Sequence, residues 1–255
     1  MDLPFLAHNL GTVSDTLILD VEVEPDLSGW WANQTNSSTG NNGTSGNGTG
    51  NGSGNTTSPP SVSVLMYGNS YTSANTLHQL VDGQLDNNGF NGTTQANTGG
   101  GLRLPQHWTN LNTSGHQWNT SLRSSSWDYA VIQDQSQVPS FPVTESTWQE
   151  SKNASVLLAE AIADEGADPV LFMTWGRRSG DSMNAFNGNF TNMQSNLLDG
   201  YTRYAQNITN AGVDVYMAPV GLAFKTVHDL VQANGTDPTL SGNLFYDLYT
   251  SDGSH

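Results

Sequence analysis

Residues 61–72 read Ser61-Val62-Ser63-Val64-Leu65-Met66-Tyr67-Gly68-Asn69-Ser70-Tyr71-Thr72. A short apolar run of this kind fits a buried strand. Gly68 and Asn69 then signal a turn. Helical spacing follows over 76–85, where Leu77, Leu80 and Val81 share one face. The same alternation repeats downstream. Strands are predicted over 129–132, 169–173 and 213–217. Helices are predicted over 148–163, 190–204 and 222–231. Mostly apolar strands that alternate with helices imply an α/β fold, with a parallel sheet covered on both faces. Ligands of such sheets sit at the carboxyl ends of the strands, so the residues just after each strand are the ones to examine.

The rest of the chain divides by composition. Residues 1–31 carry a strand-like alternation, Thr16-Leu17-Ile18-Leu19-Asp20-Val21-Glu22-Val23. They are similar to the last strands of an immunoglobulin-like module, which needs about 100 residues to close. This β segment is therefore expected to be the tail of such a module or an extra strand pair. Residues 32–60 are rich in Asn, Gly, Ser and Thr and nearly free of apolar side chains. Burial cannot offset the ordering entropy of such a stretch, so a flexible linker is expected. Residues 61–255 form the main domain.

Lys and Arg number 7 against 23 Asp and Glu, a formal charge of -16 over 255 residues. Phosphate contacts are made by Lys and Arg, so nucleic acid is excluded as a partner, and an anionic membrane surface is disfavoured. The absence of cysteine rules out disulfides, thiolate metal sites and cysteine nucleophiles. No apolar run approaches the roughly 18 residues of a membrane span. Residues 1–30 lack the layout of a signal peptide. Asn-x-Ser/Thr sequons recur, at Asn33, Asn42, Asn112, Asn119, Asn153, Asn189, Asn207 and Asn234 among others. Sequons suit surface loops of exported proteins, although an Asn/Thr-rich chain also makes them by chance. An acidic, lysine-poor surface suits salty water. The expected location is secreted or at the cell surface, with the export signal outside these residues and the chain a monomer.

Chemistry is expected first at Ser70. A serine between strand and helix suits a nucleophile whose attack creates an oxyanion, and it also suits a simple helix cap. At the other end, Asp252-Gly253-Ser254-His255 places a carboxylate three residues before a histidine. In one loop, such an aspartate orients a histidine that takes the serine proton. The alternative there is a plain polar loop or the first residue of a tag. Taken together, Gly-Asn-Ser-Tyr-Thr after the first strand and Asp-x-x-His in the last block resemble the SGNH (GDSL-type) serine hydrolases. The resemblance covers about three-quarters of the chain and falls in a branch with Asn69 where Gly-Asp-Ser is usual. It implies a flavodoxin-like α/β/α sandwich, with Ser70 as nucleophile, Asp252 as acid and His255 as base, and no cofactor.

The resemblance also implies an oxyanion hole built from the Ser70 amide, a glycine amide and an asparagine side chain. Gly101 is the expected glycine, with Gly100 next. The asparagine block departs from the family pattern, reading Gln133-Asp134-Gln135-Ser136. Register places Gln135 on the asparagine, and Gln133 is the second candidate. Family members usually continue past the histidine into a closing helix. His255 is the last residue here and is expected to be poorly held. Asn69 and Tyr71, beside the nucleophile, are expected substrate contacts. So are Trp175, Arg177 and Arg178, where tryptophan stacks on a sugar or acyl group and arginine holds a carboxylate or sulfate. The alternative is an Arg–Asp181 pair with Trp175 as lid packing. Trp108, Trp118 and Trp127 are expected in the core or groove wall. His107 and His116 lack partners at metal-ligand spacing, so no metal is expected. The function expected is a secreted serine esterase acting on acetyl or other short acyl esters of carbohydrate, a small-molecule or polymer substrate. Alternatives are lipid or polyester esters, or a non-catalytic carbohydrate-binding or adhesion module.

Overall fold

The computed structural model describes residues 58–255. The β segment expected over 1–31 and the linker up to residue 57 lie outside the described residues. The sheet has five strands: β1 (Ser61–Gly68), β2 (Asn91–Thr98), β3 (Tyr129–Ile132), β4 (Asp168–Phe172) and β5 (Tyr216–Ala218). All neighbours run parallel in the order β2-β1-β3-β4-β5. This is the flavodoxin-like strand order, with its switch point between β1 and β3. β1 lies centrally, and its last five residues are buried. A strand covered on both faces needs apolar side chains throughout, hence its unbroken Val64-Leu65-Met66-Tyr67 run.

Helices fill both faces. The longer ones are α2 (Leu77–Asn87), α3 (Leu104–Asn112), α4 (Gln117–Arg123), α5 (Ser146–Asp164), α6 (Phe190–Asn210) and α7 (Val220–Ala233). Two short helices, α1 (Ser70–Ser73) and α8 (Leu244–Asp247), sit at the site end. Val64, Met66, Val131, Phe172 and Val220 form one core with Leu77, Leu85 and Phe224, so α2 and α7 cover that face. Successive strand residues point to opposite faces. Leu65, Tyr67, Ala130, Ile132 and Leu171, all buried, therefore face the other side, where α5 packs on β3 and β4.

Three of the longer elements were not expected from the sequence. β2 reads Asn91-Gly-Thr-Thr-Gln-Ala-Asn-Thr98, with no apolar alternation. It forms because it pairs with β1 over its whole length, and as an edge strand it needs only one covered face. α3 starts at a cap where the Gln106 side chain accepts from the Arg103 amide, with Pro105 in its first turn. In α4, His116 Nδ1 accepts from the Trp118 amide at 3.2 Å. Trp118 and Trp127 are core residues.

One close contact fixes how α6 approaches the site. Gly200 of α6 faces the carbonyl of Pro139, and a Cβ there would lie 1.8 Å from its oxygen. Gly200→Ala must push α6 off the turn 138–140. Overpacking of this kind costs about 2 kcal/mol or more. Chemical unfolding should show that loss, and an unchanged midpoint would contradict the contact.

Candidate active site

The site lies at the carboxyl ends of β1, β2 and β3. Asn69 follows β1 and is almost wholly buried. Its Oδ1 accepts from the Tyr71 amide at 3.1 Å, so Asn69, not Ser70, caps α1. Its own amide donates to Gln133 Oε1 at 3.0 Å. Its Nδ2 donates to the carbonyls of Leu102 and Asp134. Gln133 is fully buried opposite it. Gln133 Nε2 donates to Asn69 Oδ1 at 3.0 Å and to the Asp134 carbonyl, and Gln133 Oε1 also accepts from Thr72 Oγ1 at 2.8 Å. Gly68 is required beside this pair, because a Cβ would lie 2.0 Å from Thr72 Oγ1. Ser70 is thereby presented on a rigid turn, partly exposed.

The last loop meets it. His255 Nε2 lies 2.9 Å from Ser70 Oγ. His255 Nδ1 lies 2.8 Å from Asp252 Oδ2. Asp252 Oδ1 accepts from the amides of Ser254 and His255 and from Thr250 Oγ1. These bonds, that of the Ser254 amide foremost and the His255 side chain next, hold the Asp252 carboxyl well below the usual carboxylate range. The loop is docked on residues 175–178: Trp175 Nε1 donates to the Ser254 carbonyl, and the Arg178 amide to that of Gly253. Tyr249 donates its hydroxyl to the Gly176 carbonyl. Gly253 adopts φ +69, a conformation suited to glycine. His255 is therefore firmly held, contrary to expectation.

Behind the site lie two buried titratable groups. Asp134 accepts at Oδ1 from the amides of Leu104 and Gln135, and at Oδ2 from the Tyr204 hydroxyl. Burial pushes its carboxyl up to about 6. His107, stacked on Trp118 with ring centroids 4.8 Å apart, bonds through Nε2 to the Gln133 carbonyl. The carbonyl can only accept, so Nε2 carries the proton. Burial lowers His107 to about 4 and keeps it neutral. Among the described residues, no cluster of three or more His, Asp or Glu could hold a metal. Nor is any described helix long and apolar enough to cross a membrane.

No protein-family model matches the chain, and no curated protein matches it by sequence. Solved structures do. A candidate SGNH hydrolase from Slackia heliotrinireducens superimposes with a TM-score of 0.56 at 23 % identity, covering 76 % of this chain and 90 % of that one. The chain has the SGNH hydrolase fold. A DUF4886 family protein from Bacteroides uniformis gives a TM-score of 0.50 at 18 % identity, over 66 % of this chain and 70 % of that one.

On this SGNH fold the residues picked from sequence separate into three groups. Ser70, Asp252 and His255 come together in one hydrogen-bonded chain. Gly100 and Gly101 lie in the exposed loop after β2, which Asn69 Nδ2 ties to the serine turn through Leu102. Among the described residues, the amides of Ser70, Gly100 and Gly101 donate to no acceptor. Gln135 folds its Oε1 onto the Gln137 amide and leaves Nε2 with only long contacts of 3.3–3.4 Å. Four of the others are corrected: Gln133, Asn69, Trp175 and Arg178. Gln133 has no donor to spare for an oxyanion, because both carboxamide atoms are engaged inside the core. Asn69 is buried and positions the turn, not substrate. Trp175 offers no open face to a sugar ring: Phe224 stacks on it at 4.4 Å, and Tyr71 packs against it at 4.7 Å. Arg178 lies 3.8 Å over the Tyr246 ring and braces the histidine loop. Arg177 pairs with Asp181 at 3.5 Å. Asp134 and His107 were missed as site supports. The signal for Asp134 was present, a carboxylate directly behind an apolar strand.

Gln133→Ala strands the Asn69 amide and Thr72 Oγ1 in the interior and takes one of two donors from Asn69 Oδ1. Unsatisfied buried groups cost about 1–3 kcal/mol each, so a loss of about 3 kcal/mol or more is expected in urea unfolding. Gln135→Ala should cost less than about 1 kcal/mol. The reverse ranking would refute the assignment of Gln133 as a clamp.

Proposed function

We propose that this chain is a serine esterase using Ser70, His255 and Asp252. The observation that carries this reading is the continuous path from Ser70 Oγ to His255 Nε2 to Asp252 Oδ2, at 2.9 and 2.8 Å. Asp252 accepts the Nδ1 proton, which leaves the Nε2 lone pair facing the serine hydroxyl. His255 takes the Ser70 proton as Oγ adds to the ester carbonyl carbon. Asp252 stabilises the imidazolium. The oxyanion is received by the free amides of Ser70 and of Gly100 or Gly101, with the Gln135 side chain as a further donor. Collapse breaks the ester C–O bond, and His255 returns the proton to the departing alcohol. Water, deprotonated by His255, then adds to the acyl-enzyme and releases the acid and free Ser70.

The proposed substrates are short acyl esters of carbohydrate, supported by the sequence resemblance and the export-type composition. Export is the proposed location. The sequon residues Asn112, Asn153, Asn189 and Asn234 are all exposed, as glycan attachment outside the cell requires.

Ser70→Ala should lower kcat/KM on p-nitrophenyl acetate by about 1,000-fold or more. Ser70 is partly exposed, so stability should stay within about 1 kcal/mol of the parent. His255→Ala should lose activity to a similar extent. A Ser70→Ala protein that keeps more than about a tenth of the parent rate would refute the nucleophile assignment.

A further inference from the structure

Arg177 differs from the other arginines of the chain. Arg103, Arg123 and Arg203 pair with Glu150, Glu165 and Asp199, each of them at least partly exposed. Arg178 is spent on Tyr246. The partner of Arg177, Asp181, is fully buried and already accepts from Gln137 Nε2, Asn184 Nδ2 and the Met183 amide. Asp181 reaches only Nη1 of Arg177, at 3.5 Å. Arg177 Nε is buried with no acceptor among the described residues. The Arg177 side chain is part-exposed, at 29 %.

Its position matters as much as its pairing. Arg177 and Ser136 flank the hydroxyl of Tyr71. That hydroxyl is buried. The Tyr71 ring lies 4.9 Å from the His255 ring. The under-used cation therefore stands one aromatic ring away from the reacting histidine. A planar guanidinium matches a carboxylate. In a chain of formal charge -16, a carboxylate-bearing substrate needs a local cation to dock against the overall field.

We propose that Arg177 selects esters that carry a carboxylate close to the scissile bond. This rests on the esterase reading above and deepens it. Both the acyl and the alcohol side of the ester can bring the carboxylate, and the test separates them. On the acyl side, p-nitrophenyl hemiglutarate is compared with p-nitrophenyl pentanoate. On the alcohol side, 3-carboxyphenyl acetate is compared with phenyl acetate. The readout is the ratio of kcat/KM, charged over neutral, taken within each protein so that folding losses and intrinsic reactivity cancel.

For the parent, one of the two ratios should exceed that of Arg177→Gln by about tenfold or more, which is about 1.4 kcal/mol. Arg177→Lys keeps the charge and should retain part of the preference. Equal ratios in the parent and Arg177→Gln on both sides, with neutral esters still cleaved, would overturn this proposal and leave the esterase reading intact. If the arginine variants do not fold, parent ratios below one on both the acyl and the alcohol side overturn it as well. If the folded parent cleaves none of the four esters, both readings fall.

Discussion

Two buried carboxamides, Asn69 and Gln133, face each other at the carboxyl ends of β1 and β3, and the site is assembled around that pair. Parallel pairing of β1 with both β2 and β3 brings three chain ends to one edge. The carboxamides then lock those ends together. Asn69 reaches the β2 loop through Leu102 and the β3 loop through Asp134. Gln133 reaches back to the serine turn through Asn69 and Thr72. Each polar atom is paired in the buried interior, where an unpaired one is costly. A rigid turn, not a flexible loop, thus presents Ser70.

The histidine arrives from the opposite end of the chain and is held separately. Trp175, wedged between Tyr71 and Phe224, links the serine turn, α7 and the last loop. Arg178 and Tyr249 complete that dock. The aromatic and basic residues after β4 therefore serve mainly to place His255 at hydrogen-bond distance from Ser70. In the proposed esterase, preorganisation of this kind would spare the reaction the cost of arranging its own acid and base. Only Arg177 in this group leaves a buried donor, Nε, without an acceptor among the described residues.

The sheet was legible wherever strands are buried on both faces, since β1, β3 and β4 must be apolar throughout. β2 was illegible because an edge strand of Asn, Gly and Thr is held by its backbone pairing and carries no apolar signature. That Ser70, His255 and Asp252 meet in one hydrogen-bonded chain was legible through two short motifs at the ends of the domain. The roles of Asn69, Gln133 and Trp175 were misread for one common reason. Polar and aromatic residues near a site look like substrate contacts in a sequence, and only their partners reveal that they are occupied. Gln133 is the clearest case: its position behind β3 was read correctly, yet both ends of its carboxamide are consumed by the serine turn.

The account stands or falls on a nucleophilic serine at residue 70. The most direct measurement is reaction of the folded protein with a fluorophosphonate, followed by peptide mass mapping. The account predicts a single adduct on the peptide containing Ser70, formed in the parent and lost in His255→Ala. A folded protein that takes no adduct, or takes it at another residue, would contradict it.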